Sequence, residues 1–436
     1  MSRLIAPCRL GGLGLATILT LVGCASPPAS RDVAPGSAAA PGPAAPRFTA
    51  GGFDADAYGA PDGYPLGNRS TFFRVPYLVG SHSHLDEIFE ARLVRRADQP
   101  STLARAATLP ALEYTFQSTT RTLDDYLARH PTTGLLIARD DTILVERYQY
   151  GRNDRHRLTS WSMAKTLTSM LVGIAIAEGR IRSVDDAAER YVPALTGTEY
   201  GRTSLRHLLQ MSSGVKFVEK YTGNDDITEL SRRTFLQLKP GGVEAVRPFN
   251  EREVPAGTRF SYASVETQML GLVLRAATGR PVAAYLEEKI WQPIGAEADA
   301  TWLIDNTGQE STYCCVNAVL RDWARVGLLL AHDGRWRGRP LIPADWLHAA
   351  TTVRDDQPHL RPRVATSFFG YGYQVWIMPG ERRMFALLGV RGQSIYVDPT
   401  SRLVMVHTAV RRQPGNDPGN IEAGALWGGV LRRLGQ

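Results

Sequence analysis

Ser162-Met163-Ala164-Lys165 places a hydroxyl and an amine three residues apart. On a helix, two such side chains share a face. Serine is a weak nucleophile until a neighbouring base takes its proton. A lysine can do so once partial burial or nearby positive groups favour its neutral form. A helix start adds oriented N–H groups and positive potential where an oxyanion could form. The spacing therefore meets the needs of acyl transfer through a covalent intermediate. The pattern alone is weak, because Ser213-Gly214-Val215-Lys216 satisfies it too. At ordinary serine usage, roughly 0.3 matches are expected by chance in such a lysine-poor chain. The second copy has glycine at its centre and runs into Lys216-Phe217-Val218, which reads as a turn and then extended chain, so it is taken as coincidence. The nine histidines include no H-E-x-x-H, which disfavours a metallohydrolase. No cofactor is called for.

The elements that must hold these groups are legible from periodicity. From Ser162 to Glu178, apolar Met163, Leu167, Met170, Leu171 and Ile174 recur at helical spacing, and Gly179 stops the run. Further helical patterns cover 204–211, 265–277 and 318–331, and the tail 421–434 looks helical. Gly134–Arg139, Asp140-Asp141 and Thr142–Tyr148 read as a β-hairpin. Extended runs follow late in the chain at 371–378, 384–389, 393–397 and 403–408. A hairpin early and a meander late predict a mainly antiparallel sheet closed by both chain ends, flanked by helices, with a mainly helical inserted domain at roughly 197–309. The fold class is α/β of the α+β type.

Around Ser162, Thr159-Ser160-Trp161-Ser162-Met163-Ala164-Lys165-Thr166-Leu167-Thr168 resembles the active-site helix of the serine β-lactamase-related family. That family includes class C β-lactamases, penicillin-binding D,D-peptidases, esterases and 6-aminohexanoate-dimer hydrolases. Leu208–Gly214 resembles its HLLxMTSG turn. Phe260-Ser261-Tyr262-Ala263-Ser264 resembles its Y-x-N/S element, and Gly389-Val390-Arg391-Gly392-Gln393 stands where the family has K-T-G or H-x-G. The likeness runs from about residue 120 to the C-terminus. The Y-A-S element, Tyr313-Cys314-Cys315-Val316-Asn317 and Arg321-Asp322-Trp323-Ala324-Arg325 resemble most the 6-aminohexanoate-dimer hydrolase branch.

The resemblance implies a serine hydrolase acting on a small ester, amide or peptide. Ser162 would attack the acyl carbon, Lys165 would accept its proton directly or through Tyr262, and Tyr262 would return a proton to the leaving group. The backbone N–H groups of Ser162 and Gln393 would form the oxyanion hole, and Ser264, Arg391 and Gly392 would contact substrate. Arg391 also fits a surface charge at a strand start. Two departures, Val390 for Lys or His and Ser264 for Asn, weigh against efficient β-lactamase action. A D,D-peptidase or class C-like β-lactamase, or a non-catalytic penicillin-binding sensor, is the alternative. Cys314-Cys315 reads as two buried small residues, since a bridge between neighbours strains the backbone.

The N-terminus reads as an address. Arg3 and Arg9 form a basic stretch ahead of an apolar run over 10–21, which leads into Leu21-Val22-Gly23-Cys24. This resembles the lipobox of bacterial lipoproteins, in which the cysteine is acylated after cleavage of residues 1–23. Ala25 and Ser26, with no Asp, resemble the pattern sent to the outer membrane, so the lipid bilayer is an expected partner through acylated Cys24, on the periplasmic face. Residues 24–50, rich in Ala and Pro, read as a tether, residues 51–118 as an N-terminal extension packed on the body, and 119–436 as the hydrolase domain. With 43% hydrophobic residues, 21% charged and a net charge of +7 from dispersed arginines, wholesale disorder is excluded and nucleic acid is not an expected partner.

Overall fold

The computed structural model describes residues 47–48 and 51–436, apart from Leu109 and Asn416. The signal-like segment, Cys24 and nearly all of the tether lie outside the described residues.

Alternating short turns and apolar runs build a sheet from both ends of the body. Thr132–Arg139 pairs antiparallel with Thr142–Tyr148 across Asp140-Asp141. Its other edge takes Leu403–Ala409 from near the C-terminus. Gln393–Asp398 and Phe385–Gly389 then continue the antiparallel order. Thr132–Ala138 and Leu403–Ala409 are buried along their whole length, which requires cover on both faces. The helix Pro418–Leu434 supplies one cover, with Leu426, Trp427 and Val430 packed on Tyr396 and Met405. Trp427 stacks on Tyr396 at 5.8 Å between ring centroids, and its loss to alanine would cost about 3–5 kcal/mol. The helix Leu320–Ala331 supplies the other, lying so close that a Cβ on Gly327 would come within 2.5 Å of Val404 Cγ1.

The helix Ala164–Ala177 is buried from Ala164 through Ala175. A helix enclosed on all sides needs no polar face, and its neighbour Ser264–Thr278 is buried from Ser264 to Leu274. A second, smaller sheet runs in the order Ala91–Val94, Ala300–Leu303, Val316–Ala318, Leu158–Thr159. Its last strand leads directly into Ser160-Trp161-Ser162. Residues 51–118 thus contribute an edge strand to the sheet that leads into the Ser160–Ser162 turn.

Three sequence readings are corrected. The run expected as one strand over 371–378 reverses on itself, with Gly370–Tyr371 pairing against Trp376–Ile377. Gly372 abuts Ala350, whose carbonyl oxygen would lie 1.9 Å from any Cβ there, and Gln374 takes a left-handed φ of 59°. Its buried amide bonds Leu208 O, Leu209 O and Thr267 Oγ1, so the turn is held by distant partners. The helix expected to begin at Ser162 opens as a 3₁₀ turn, Trp161–Met163, and becomes α-helical at Ala164. Cys314 and Cys315 are buried as expected but joined as a disulfide. The backbone accommodates the ring by a left-handed Cys315 at φ 73°.

Candidate active site

Ser162 sits on a turn set by its neighbours. Ser160 N–H donates to Val316 O at 2.8 Å, and Val316 N–H donates back to Ser160 Oγ at 3.0 Å. Trp161 adopts φ 41°, a left-handed conformation that tryptophan rarely takes. Such a residue costs on the order of 1–3 kcal/mol and is typical of catalytic turns. Phe385–Gly389 approaches from the other side. A Cβ on Gly389 would lie 2.4 Å from Ser160 O and 3.1 Å from both Ser162 N and Gln393 Cβ. Glycine is therefore required there, and Ser162 and Gln393 flank it, the neighbourhood an oxyanion hole between their N–H groups needs.

Lys165 Nζ lies 2.9 Å from Ser162 Oγ and 3.0 Å from Tyr313 O. Its side chain is 1% exposed, so desolvation of the ammonium lowers its pKa from 10.5 to about 8, and the Glu219 carboxylate partly opposes this. Roughly a tenth of the amine is therefore neutral at pH 7, far more than for a free lysine. The amine also stands 4.9 Å from the Tyr262 ring centroid. Tyr262 stacks on Trp376 at 5.2 Å and meets Tyr371 edge-on at 6.1 Å. Burial raises its phenol pKa, with the Glu219 charge adding to the rise and the Ser162 side chain partly offsetting it. Tyr262 thus stays protonated at neutral pH, whereas the lysine is shifted toward its neutral form.

Ser264 opens its helix beside the same centre. Its N–H and hydroxyl donate to Glu219 Oε2 and Oε1 at 2.8 and 2.9 Å, and Tyr221 OH donates to Oε1 at 2.5 Å. Sequence reasoning missed Glu219. It carries no local signal, because its proximity to Ser264 arises from a contact 45 residues away in the chain. Tyr313 was noted only as part of a family-like run, yet its carbonyl is the second acceptor for Lys165.

A cavity of about 330 Å³ opens on Ser162, with Ser264, Tyr313, Cys314 and Arg391 in its wall. Arg391, at φ 63°, donates from Nη1 to Arg411 O and Arg412 O at 2.9 and 2.8 Å. It is therefore anchored at the cavity rather than placed as a free surface charge, and burial lowers its pKa to about 10. Gly392 does not line the cavity. Its carbonyl accepts from His407 Nδ1 at 2.8 Å, and a Cβ there would lie 2.6 Å from Arg411 Nε. Gly392 forms a turn at φ 93°, directly after Val390 and Arg391 of the cavity wall. A wider groove of about 640 Å³ lies between Asp140, His332 and Arg402, away from these groups.

The second S-x-x-K falls apart in space. Ser213 Oγ donates to buried Glu266 at 2.5 Å, while exposed Lys216 pairs with Glu251 at 3.2 Å.

A sheet between helices, with a serine on the turn that opens an interior helix and a buried lysine on that helix, defines a serine hydrolase of the β-lactamase and penicillin-binding-protein fold. Residues 119–426 match the model of the Beta-lactamase family, and the chain belongs to that family. It is 27% identical over 350 residues, 78% of this chain and 84% of the relative, to the 6-aminohexanoate-dimer hydrolase of Paenarthrobacter ureafaciens. The solved structure "Putative 6-aminohexanoate-dimer hydrolase from Bacillus anthracis" superposes with a TM-score of 0.76 at 24% identity, covering 85% of this chain and 98% of that one. A penicillin-binding protein homologue from Caulobacter crescentus shares the fold with a TM-score of 0.54 at 18% identity, over 69% of this chain and 92% of that one.

Proposed function

We propose that this chain is a lipid-anchored serine hydrolase that cleaves an ester or a short linear amide through an acyl-enzyme on Ser162. The carrying observation is the 2.9 Å approach of Lys165 Nζ to Ser162 Oγ with the amine depressed to about 8 by burial. Neutral Lys165 takes the hydroxyl proton as Oγ bonds to the acyl carbon. The Ser162 and Gln393 N–H groups receive the oxyanion, and the bond to the leaving group breaks as Tyr262 donates its proton and takes in exchange the one held by Lys165. Water then attacks the ester carbonyl, giving a proton to neutral Lys165, which passes it to Ser162 Oγ as the acid leaves. Val390 in place of a lysine or histidine leaves the third motif without its usual cation, which favours this reading over a D,D-peptidase or a class C-like β-lactamase.

The test is a panel of p-nitrophenyl esters, 6-aminohexanoate dimer, D-alanyl peptides and nitrocefin, with mass spectrometry of the quenched protein. An acyl adduct on the peptide holding Trp161–Lys165, with ester or linear-amide turnover, is the expected result. Turnover confined to nitrocefin or D-alanyl peptides would favour the alternative, and a folded protein inert to all four would favour a binding protein.

The Leu21–Cys24 pattern supports export as a bacterial lipoprotein facing the periplasm, with the outer membrane as its address. Cys24→Ser is expected to abolish lipid labelling and leave uncleaved precursor. Normal processing of that variant would remove the anchor from the proposal.

A further inference from the structure

The family match begins at residue 119, yet part of the wall around Ser162 comes from earlier in the chain. Arg69, Phe72 and Phe73 line the same cavity as Ser162. Phe73 stacks on Trp161, the residue preceding the nucleophile, at 5.4 Å and 26°. The Arg391 guanidinium stands 4.8 Å from the Phe73 ring centroid. Ile227, Phe235 and Leu236 add further apolar wall. The surface is mainly aromatic and aliphatic, so it suits an apolar chain rather than a sugar or a polar peptide.

Its charges have one sign. No aspartate or glutamate lines the cavity, whereas two arginines do. Arg69 donates to Leu236 O at 3.0 Å and Arg391 to two backbone carbonyls, and neither has a carboxylate partner among the described residues. The nearest acids are spoken for. Both Glu219 oxygens are taken by Ser264 and Tyr221, and Asp225 accepts from Thr228 Oγ1 and Lys220 N–H in its own loop. Arginine without an internal acid is the usual receptor for a ligand carboxylate. The half of the substrate that enters follows from Tyr262. That donor is enclosed by Trp376 and Tyr371, none of which lines the cavity. The leaving group belongs beside Tyr262, and the cavity on the Trp161 side is left for the acyl half.

We infer that the segment Arg69–Phe73 of the N-terminal extension completes an acyl subsite, and that this subsite takes an apolar acyl chain ending in a carboxylate. The inference rests on the hydrolase reading above and narrows it to half-esters or half-amides of dicarboxylic acids. An acyl chain ending in an ammonium, as in 6-aminohexanoyl compounds, is disfavoured.

Three p-nitrophenyl esters of equal chain length test it on the full body: the adipate monoester, the hexanoate and the 6-aminohexanoate. Expected is a kcat/KM order of adipate, then hexanoate, then 6-aminohexanoate, with at least tenfold between the first and last. Arg69→Gln combined with Arg391→Gln should shrink the adipate-to-hexanoate ratio about tenfold. Phe73→Ala should raise KM for adipate and hexanoate esters alike. Preference for the cationic ester, or a charge ratio indifferent to both arginines, would overturn the inference while leaving the acyl-enzyme reading intact. If no ester turns over, calorimetry on Ser162→Ala with adipate and with hexane-1,6-diamine decides separately. Binding of adipate alone, lost in the arginine variants, upholds the subsite, and binding of neither or of the diamine rejects it.

Discussion

Ser162 and Ser213 each stand three residues before a lysine, yet their surroundings differ in every respect that chemistry needs. At the first, the turn leads into an interior helix, so Lys165 is carried inward beside the hydroxyl, 2.9 Å away and desolvated. At the second, Gly214 takes a left-handed φ of 75° and the chain leaves extended. Lys216 is thrown to the surface to meet Glu251, while Ser213 turns inward to Glu266. Burial pushes the Glu266 carboxyl well above its ordinary range, so that pair is a hydrogen bond inside the core with its acid shifted toward the neutral form. The difference teaches that an S-x-x-K spacing has meaning only when a helix keeps both side chains on one face and the core strips water from the amine.

The comparison breaks most sharply at the serines. Ser162→Ala is expected to abolish fluorophosphonate labelling and lower turnover on the order of 10⁴-fold or more in a folded protein. Ser213→Ala should keep most activity but lower stability by about 1–3 kcal/mol, because it strips Glu266 of a buried partner. Urea titration followed by circular dichroism reads the second effect, and labelling reads the first. If Ser213→Ala removes labelling from a folded protein while Ser162→Ala does not, the assignment is reversed.

The lysines sharpen it. Lys165→Ala should slow acylation at least roughly 100-fold, the lower range for losing a general base, measured as the single-turnover burst. Lys216→Ala removes one exposed ion pair, worth roughly 0–1 kcal/mol, and should leave the burst within about twofold.

The smallest effect concerns pH. Lys165 works as a base only when neutral, so kcat/KM should rise with pH through a midpoint near 8. Glu219 holds the amine protonated by its charge, so Glu219→Gln should move that midpoint to lower pH. Ser264 loses an acceptor in the same variant, so the position of the limb, not the plateau rate, is the diagnostic. An unmoved or raised midpoint would show that the Glu219 carboxylate does not act on Lys165.

Much of the site was legible because its parts lie close together in sequence. Ser162 and Lys165 share one turn, and the hairpin and late meander carry alternating signals that survive without tertiary context. The reversal at Gly372–Gln374 was not legible, because Ala350, Leu208 and Thr267 enforce it from elsewhere. The bridge between Cys314 and Cys315 was misjudged for a similar reason. Cys315 takes a left-handed φ beside the bridge, in a segment that also fastens Ser160 through Val316 and Lys165 through Tyr313.

The sequence by itself determined which residues have the right chemistry and which of them a helix or a strand turn must carry together, since both are properties of side-chain type and short-range periodicity. Only the tertiary structure decided which S-x-x-K is desolvated, that Glu219 sits behind Ser264, that Gly392 faces Arg411 instead of the cavity, and that Arg69–Phe73 stands at Ser162. Dielectric environment and long-range proximity set those outcomes, and neither is a property of any local stretch of chain.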